Sequence, residues 1–94
     1  MTTCLVSSPW LIRYSDHAVK RMDERSILGE NVETAIRNPL ELVLARHGGR
    51  AVCSLLPGGK IIVAIYEQEE EDFIVVTAVK TNREGARRVG FARI

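Results

Sequence analysis

Between residues 15 and 37 the apolar positions recur at steps of three and four, the period of a helix. Ala18, Val19 and Met22 share one face of a helix that Ser15 or Asp16 can cap and that runs to about Arg25. Gly29 interrupts the pattern. Val32, Ala35 and Ile36 then mark a second short amphipathic helix from about Glu30 to Arg37. Asn38 suits a left-handed C-terminal position there, and Pro39 cannot continue the helix.

From Glu41 the period changes. Leu42, Val43 and Leu44 open a strand that ends at His47, and Gly48-Gly49 supply a tight turn. Ala51 to Leu56 predicts a second strand, followed by a turn at Pro57, Gly58 and Gly59. Lys60 to Tyr66 is a third strand, apolar on both faces and so central. The acidic stretch Glu67 to Asp72 is a poor strand and reads as a turn, and Phe73 to Val79 is the fourth strand. Short connections make the sheet an antiparallel meander. Residues 1 to 14 show little pattern, with Trp10, Leu11, Ile12 and Tyr14 as an extended lead-in packing on the body. The tail from Thr81 is either a short helix or a flexible arm. The pattern predicts a single α+β domain over residues 1–94, with two N-terminal helices together on one side of a four-stranded antiparallel meander.

Composition agrees with a folded domain, since 46% hydrophobic and 27% charged residues can bury a core. No apolar run approaches the roughly 18 residues of a membrane span. Met1 to Pro9 lacks the basic start and long apolar stretch of a signal peptide. The chain therefore reads as cytoplasmic, with Cys4 and Cys53 as thiols. Net charge is only +1, but its distribution is uneven. Lys80, Arg83, Arg87, Arg88 and Arg93 collect in the tail, whereas Glu67, Glu69, Glu70, Glu71 and Asp72 collect before the last strand. Either both are solvated turns and tails, or the near-neutral chain presents a basic face, though a net charge of +1 makes no global electrostatic case for nucleic acid.

Chemistry concentrates in SDHAVKRMDERSI, residues 15 to 27. His17, Arg21 and Arg25 stand at steps of four and make one helical stripe. At 100° per residue they fall at about 0°, 40° and 80°, with Ala18 at about 100° and Met22 at about 140°. The stripe thus lies beside the buried face, and it is expected to open into a cleft between helix and sheet. Histidine exchanges protons near neutral pH, and arginine holds phosphate oxygens and offsets growing negative charge. Arginines at helical spacing also pair with acids, and Lys20 has Glu24 four residues on for that purpose. Arg21 and Arg25 repel each other unless an anion is near. In the last strand Thr77 and Lys80 are polar; alternation puts them on opposite faces, so they share a site only if the strand bends or the site wraps its end. His47 reads as a turn residue. The scattered histidines and cysteines show no metal-ligand spacing, no Gly-rich phosphate loop precedes a helix, and no serine sits in a nucleophile elbow.

Residues 15 to 82 resemble the domain of unknown function 4258 family. The likeness rests on His17, Arg21, Arg25, Ile27, Val32, Asn38 and Pro39, and on VVTAVKT with Thr77 and Lys80. Ser26 departs from it, because that family usually has glycine after the second arginine. The family is grouped with RelE/ParE-like toxins and small RNases, which implies two helices followed by a four-stranded antiparallel sheet. The resemblance also implies RNA transesterification without metal or other cofactor. His17 is then the general base or acid, Arg21, Arg25 and Lys80 stabilise the phosphorane, and Thr77 positions a phosphate or side chain. Arg83, Arg87 and Arg88 are candidate RNA contacts, and an acidic antitoxin protein is a candidate partner. The alternative is a non-enzymatic RNA- or protein-binding module on the same scaffold.

Overall fold

The computed structural model describes residues 12–45, 48–69 and 72–93. The elements are β1 (Ile12–Tyr14), α1 (Asp16–Glu24), α2 (Gly29–Arg37), β2 (Glu41–Leu44), β3 (Arg50–Leu55), a 3-10 turn (Pro57–Gly59), β4 (Ile61–Glu69), β5 (Asp72–Thr81) and α3 (Arg83–Val89). The α+β class holds, and both N-terminal helices fall where their periodicity puts them, but Asn38 ends α2 at φ −134° rather than in the expected left-handed conformation, because Pro39 directly after it favours extended backbone. The four-stranded antiparallel meander does not hold. The sheet has five strands in the order β1-β5-β4-β3-β2, and β1 runs parallel to β5. The lead-in supplies this extra strand: Ile12, Arg13 and Tyr14 lie beside Phe73, Ile74 and Val75, and Arg13 forms an ion pair with Asp72. Three residues are too few for a period-two pattern to show. The expected positions of Trp10, Leu11 and His47 lie outside the described residues.

Alternation along β3 and β4 divides the interior into two cores. Val52, Ile62, Ala64 and Tyr66 face one way and pack with Ala18, Ile27, Val32, Ala35 and Ile36 of the N-terminal helices. Ala51, Cys53, Ile61 and Val63 face the other way and pack with Ala86 and Phe91. The cover on two sides explains why β4 is apolar throughout. It also corrects the expectation that helices cover one side only: the tail after Thr81 is a helix on the second face. Asn82 caps it, accepting from the Gly85 N–H at 2.9 Å. Gly90, at φ 126°, turns the chain so that Phe91 is buried. The Glu41 carboxylate then accepts the backbone N–H groups of Ala92 and Arg93, at 2.9 and 2.7 Å, and fastens the tail to β2. These bonds hold the Glu41 carboxyl below its usual range.

Two further expectations are corrected. The acidic stretch is largely strand, because β4 continues to Glu69 and β5 begins at Asp72, with side chains facing water. Val19, placed on the buried face of α1 by periodicity, is 55% exposed. Its angle of about 200° from His17 carries it past the sheet.

At the end of α1 the Ile27 N–H donates to Met22 O at 2.9 Å and the Ser26 N–H to Asp23 O at 3.3 Å. Ile27 and Met22 also pack in the same core, completing a Schellman turn. The turn places Ser26 at φ 55°, a left-handed conformation that costs a residue with a Cβ about 1 kcal/mol. Ser26→Gly is therefore expected to raise stability by up to about 1 kcal/mol, read as a higher denaturation midpoint. For Glu41, a carboxyl held low stabilises the folded state fully above the ordinary carboxylate range and loses that effect as pH falls through its lowered value. The stability advantage of the native chain over Glu41→Gln should persist at neutral pH and vanish in strong acid.

Candidate functional site

Ser15 joins three elements. Its backbone N–H donates to Val75 O at 3.0 Å, extending the β1–β5 pairing by one bond. Its hydroxyl donates to Val76 O at 3.2 Å and accepts from the Ala18 N–H at 3.0 Å, which caps α1. Asp16, the other candidate cap, instead occupies the first turn of the helix. Ala18 on α1 and Ala78 on β5 are fully buried in the same core, and their small side chains let the helix lie close to the strand.

The strand under α1 is irregular at the point where Ser15 holds it. Tyr66 pairs with Val75 and Ile65 with Thr77, so Val76 is the extra residue of a β-bulge. Before the bulge the odd residues Phe73 and Val75 face the N-terminal helices; after it Ala78 does, and Lys80 follows on that face. The bulge thus carries Lys80 to the side of α1.

The stripe keeps the side of α1 that its spacing predicts, but forms an exposed ridge rather than a cleft. His17 and Arg25 are exposed and Arg21 is partly covered. None of the three lines a cavity described below. Arg21 Nε points to His17 Nε2 at 3.5 Å, an arrangement that uses the imidazole as acceptor. Arg21 also pairs with Glu24 at 3.1 Å, so the acid assigned to Lys20 goes to Arg21 and offsets the repulsion between the two arginines. One guanidinium nitrogen of Arg25 donates to Ala78 O at 3.2 Å, fixing its head against β5. Lys80 lies two residues further along that face, on the order of 7 Å away.

The other candidates are dispersed. Thr77 pairs with Ile65 on the opposite face, where it lines an apolar cavity of about 360 Å³ with Val76, Arg88 and Val89. Arg83 is the exposed first residue of α3. Arg87 and Arg88 lie on the far layer, Arg88 pairing with Glu84 at 3.7 Å. Cys53 is buried and burial pushes its thiol up, away from nucleophile chemistry. On the other flank of α1, Tyr14, Val19, Met22, Gly29 and Glu33 line a shallower hollow. Burial and the Glu33 carboxylate hold the Tyr14 phenol above its usual range. Among the described residues no three of His, Cys, Asp or Glu gather where they could hold a metal ion. Among the described residues no helix is long and apolar enough to cross a membrane.

Residues 14–80 match the family model described as Domain of unknown function (DUF4258). The chain belongs to that family. The DUF4258 segment takes in the stripe, the bulge and Lys80, and leaves α3 with Arg83, Arg87 and Arg88 outside it. No curated protein and no solved structure matches the chain.

The contact that sequence reasoning missed is the Ser15–Val76 bond, for which the apolar run around Val76 carries no local signal. Removing it together with the helix cap should be costly. Ser15→Ala is expected to lower stability by about 1–2 kcal/mol, measured by chemical denaturation.

Proposed function

We propose that the α1 ridge of His17, Arg21 and Arg25, extended by Lys80, is an RNA-phosphate-binding surface capable of metal-independent cleavage. The observation that carries this reading is the Arg25–Ala78 bond, which sets a guanidinium beside Lys80 on an exposed cationic ridge that also holds an imidazole. The order of two N-terminal helices followed by a mostly antiparallel sheet supports a kinship with RelE/ParE-like toxins and small RNases. In such a reaction His17 takes the proton of a ribose 2′-OH and that oxygen attacks the adjacent phosphorus. The 5′-oxygen leaves and takes a proton from His17 or solvent, giving a 2′,3′-cyclic phosphate and a 5′-hydroxyl. Arg21, Arg25 and Lys80 offset the charge on the phosphorane. Arg83, three residues after Lys80 in the chain, extends the cationic track, and no cofactor takes part. An acidic antitoxin in the same cytoplasm is the partner whose charge fits this ridge.

Two observations favour a second reading, binding without turnover: Thr77 faces away from the ridge, and the ridge is open to water where a catalytic group gains little from desolvation. Incubating total RNA with the chain in EDTA separates the two. Cleavage by the native chain that His17→Gln abolishes without loss of binding supports catalysis; binding by both with no turnover supports the second reading. Arg25→Glu should abolish binding while folding persists. The affinity for single-stranded RNA should fall with salt at a log–log slope of roughly −2, from about three phosphate contacts. Absence of any RNA binding would remove both readings.

A further inference from the structure

The cations of the ridge are not equally free. Arg25 is held by Ala78 O and, among the described residues, forms no ion pair with a carboxylate. Lys80 is exposed on the same face and likewise forms none among the described residues. Arg21 is engaged twice. One terminal nitrogen of its guanidinium donates to Glu24 Oε1 at 3.1 Å, and its Nε points to His17 Nε2 at 3.5 Å. Glu24, Arg21 and His17 thus form a short chain of contacts in which one guanidinium bridges a carboxylate and an imidazole.

This chain of contacts does little for the helix. Glu24 is the last residue of α1, where the free carbonyl groups of the helix end disfavour a negative charge. An exposed pair three residues apart adds little stability of its own. The pair is also easily displaced. It is one hydrogen bond rather than a fork, and its side chains are 40% and 45% exposed, so water and ions reach it. A phosphate presents two oxygens to a guanidinium at once and replaces the single carboxylate bond with a bidentate one.

We propose that Glu24 is the resting occupant of the phosphate site on Arg21, and that an RNA phosphate uncovers the His17 base by displacing it. The inference rests on the phosphate-binding reading of the ridge and adds the control of its base. Arg25 and Lys80 receive the strand first, because no acid pairs with them among the described residues. Arg21 lies four residues from Arg25, about 6 Å along the helix axis, a distance that neighbouring phosphates of a single strand can span. The second phosphate draws the guanidinium of Arg21 away from Glu24. As the head turns, Nε leaves His17 Nε2, and the lone pair on that nitrogen is open to the proton of the ribose 2′-OH. Without RNA the lone pair stays covered. Glu24 touches neither RNA nor the reacting atoms; it is a positioning residue that acts on His17 through Arg21.

The test uses the full chain and a 2′-O-methyl oligouridylate, which keeps the phosphates and lacks the attacking hydroxyl. Glu24 is exposed, and alanine favours helix, so Glu24→Ala keeps the fold. Glu24→Ala should bind the oligouridylate roughly two- to fivefold more tightly than the native chain, the fold-change expected when one exposed ion pair no longer competes. In an Arg21→Gln background the same substitution should give little or no gain. The ring-nitrogen signals of His17 should shift when the oligouridylate is added to the native chain and when Glu24 is replaced, but not when Glu24 is replaced in the Arg21→Gln background. An affinity that Glu24→Ala leaves unchanged, a gain that survives Arg21→Gln, or His17 signals indifferent to Glu24→Ala overturns the proposal while RNA binding itself stands. No binding by the native chain or by Glu24→Ala removes the phosphate reading of the ridge, and this proposal with it.

Discussion

The β-bulge at Val76 is the feature on which the arrangement of the rest depends. A strand of ten residues with strict alternation would keep one parity on each face from Asp72 to Thr81. The extra residue breaks that parity. It lets Phe73 and Val75 serve the first core at one end of β5 while Ala78 serves it at the other, and it turns Val76 and Thr77 together towards the second face. Ser15 is bonded at this irregularity, to Val75 through its backbone and to Val76 through its hydroxyl, so β1, the start of α1 and the bulge form one unit. The cationic ridge inherits its position from that unit.

The second consequence is a division of the basic residues by layer. His17, Arg21, Arg25 and Lys80 belong to one side of the sheet, and Arg83, Arg87 and Arg88 to α3, which packs on the other. A near-neutral chain can present a local cationic surface only if its acids are kept elsewhere. Here the separation is partial: the β4–β5 hairpin carries Glu67, Glu69 and Asp72 to the end of the sheet opposite Lys80, while Asp16, Asp23 and Glu24 stay on α1 and Glu24 pairs with Arg21. At effective surface dielectric and physiological salt, charges a full strand length apart scarcely influence each other, so the two ends act independently.

Burial of the tail depends on small, specific features rather than on a long apolar stretch. Asn82 starts α3, Gly90 ends it, and Phe91 fills the second core. Gly85 allows the close approach, since a Cβ there would collide with Thr81 Oγ1. Glu41 completes the closure from β2.

The sequence by itself determined α1, α2, the Ser15 cap of α1, the strand segments of the hairpins and the phase of the His17–Arg21–Arg25 stripe. These follow from periodicities of 3.6 and 2 and from local turn chemistry, which act over a few residues and are visible in the order of side chains. It also held a clue to the third helix, because strands apolar on both faces need two covers, and Ala86 and Phe91 are apolar residues within a basic tail. Tertiary structure alone decided the rest. Whether Ile12–Tyr14 forms a strand depends on a partner some sixty residues away, and the three-residue segment has no pattern of its own. Which face receives Lys80 depends on one inserted residue in β5, and Val76 is as apolar as its neighbours, so nothing in the local order marks it as the one left unpaired. That choice is made by the register of β4 against β5 and by the Ser15 bonds, interactions between segments that are distant in the chain.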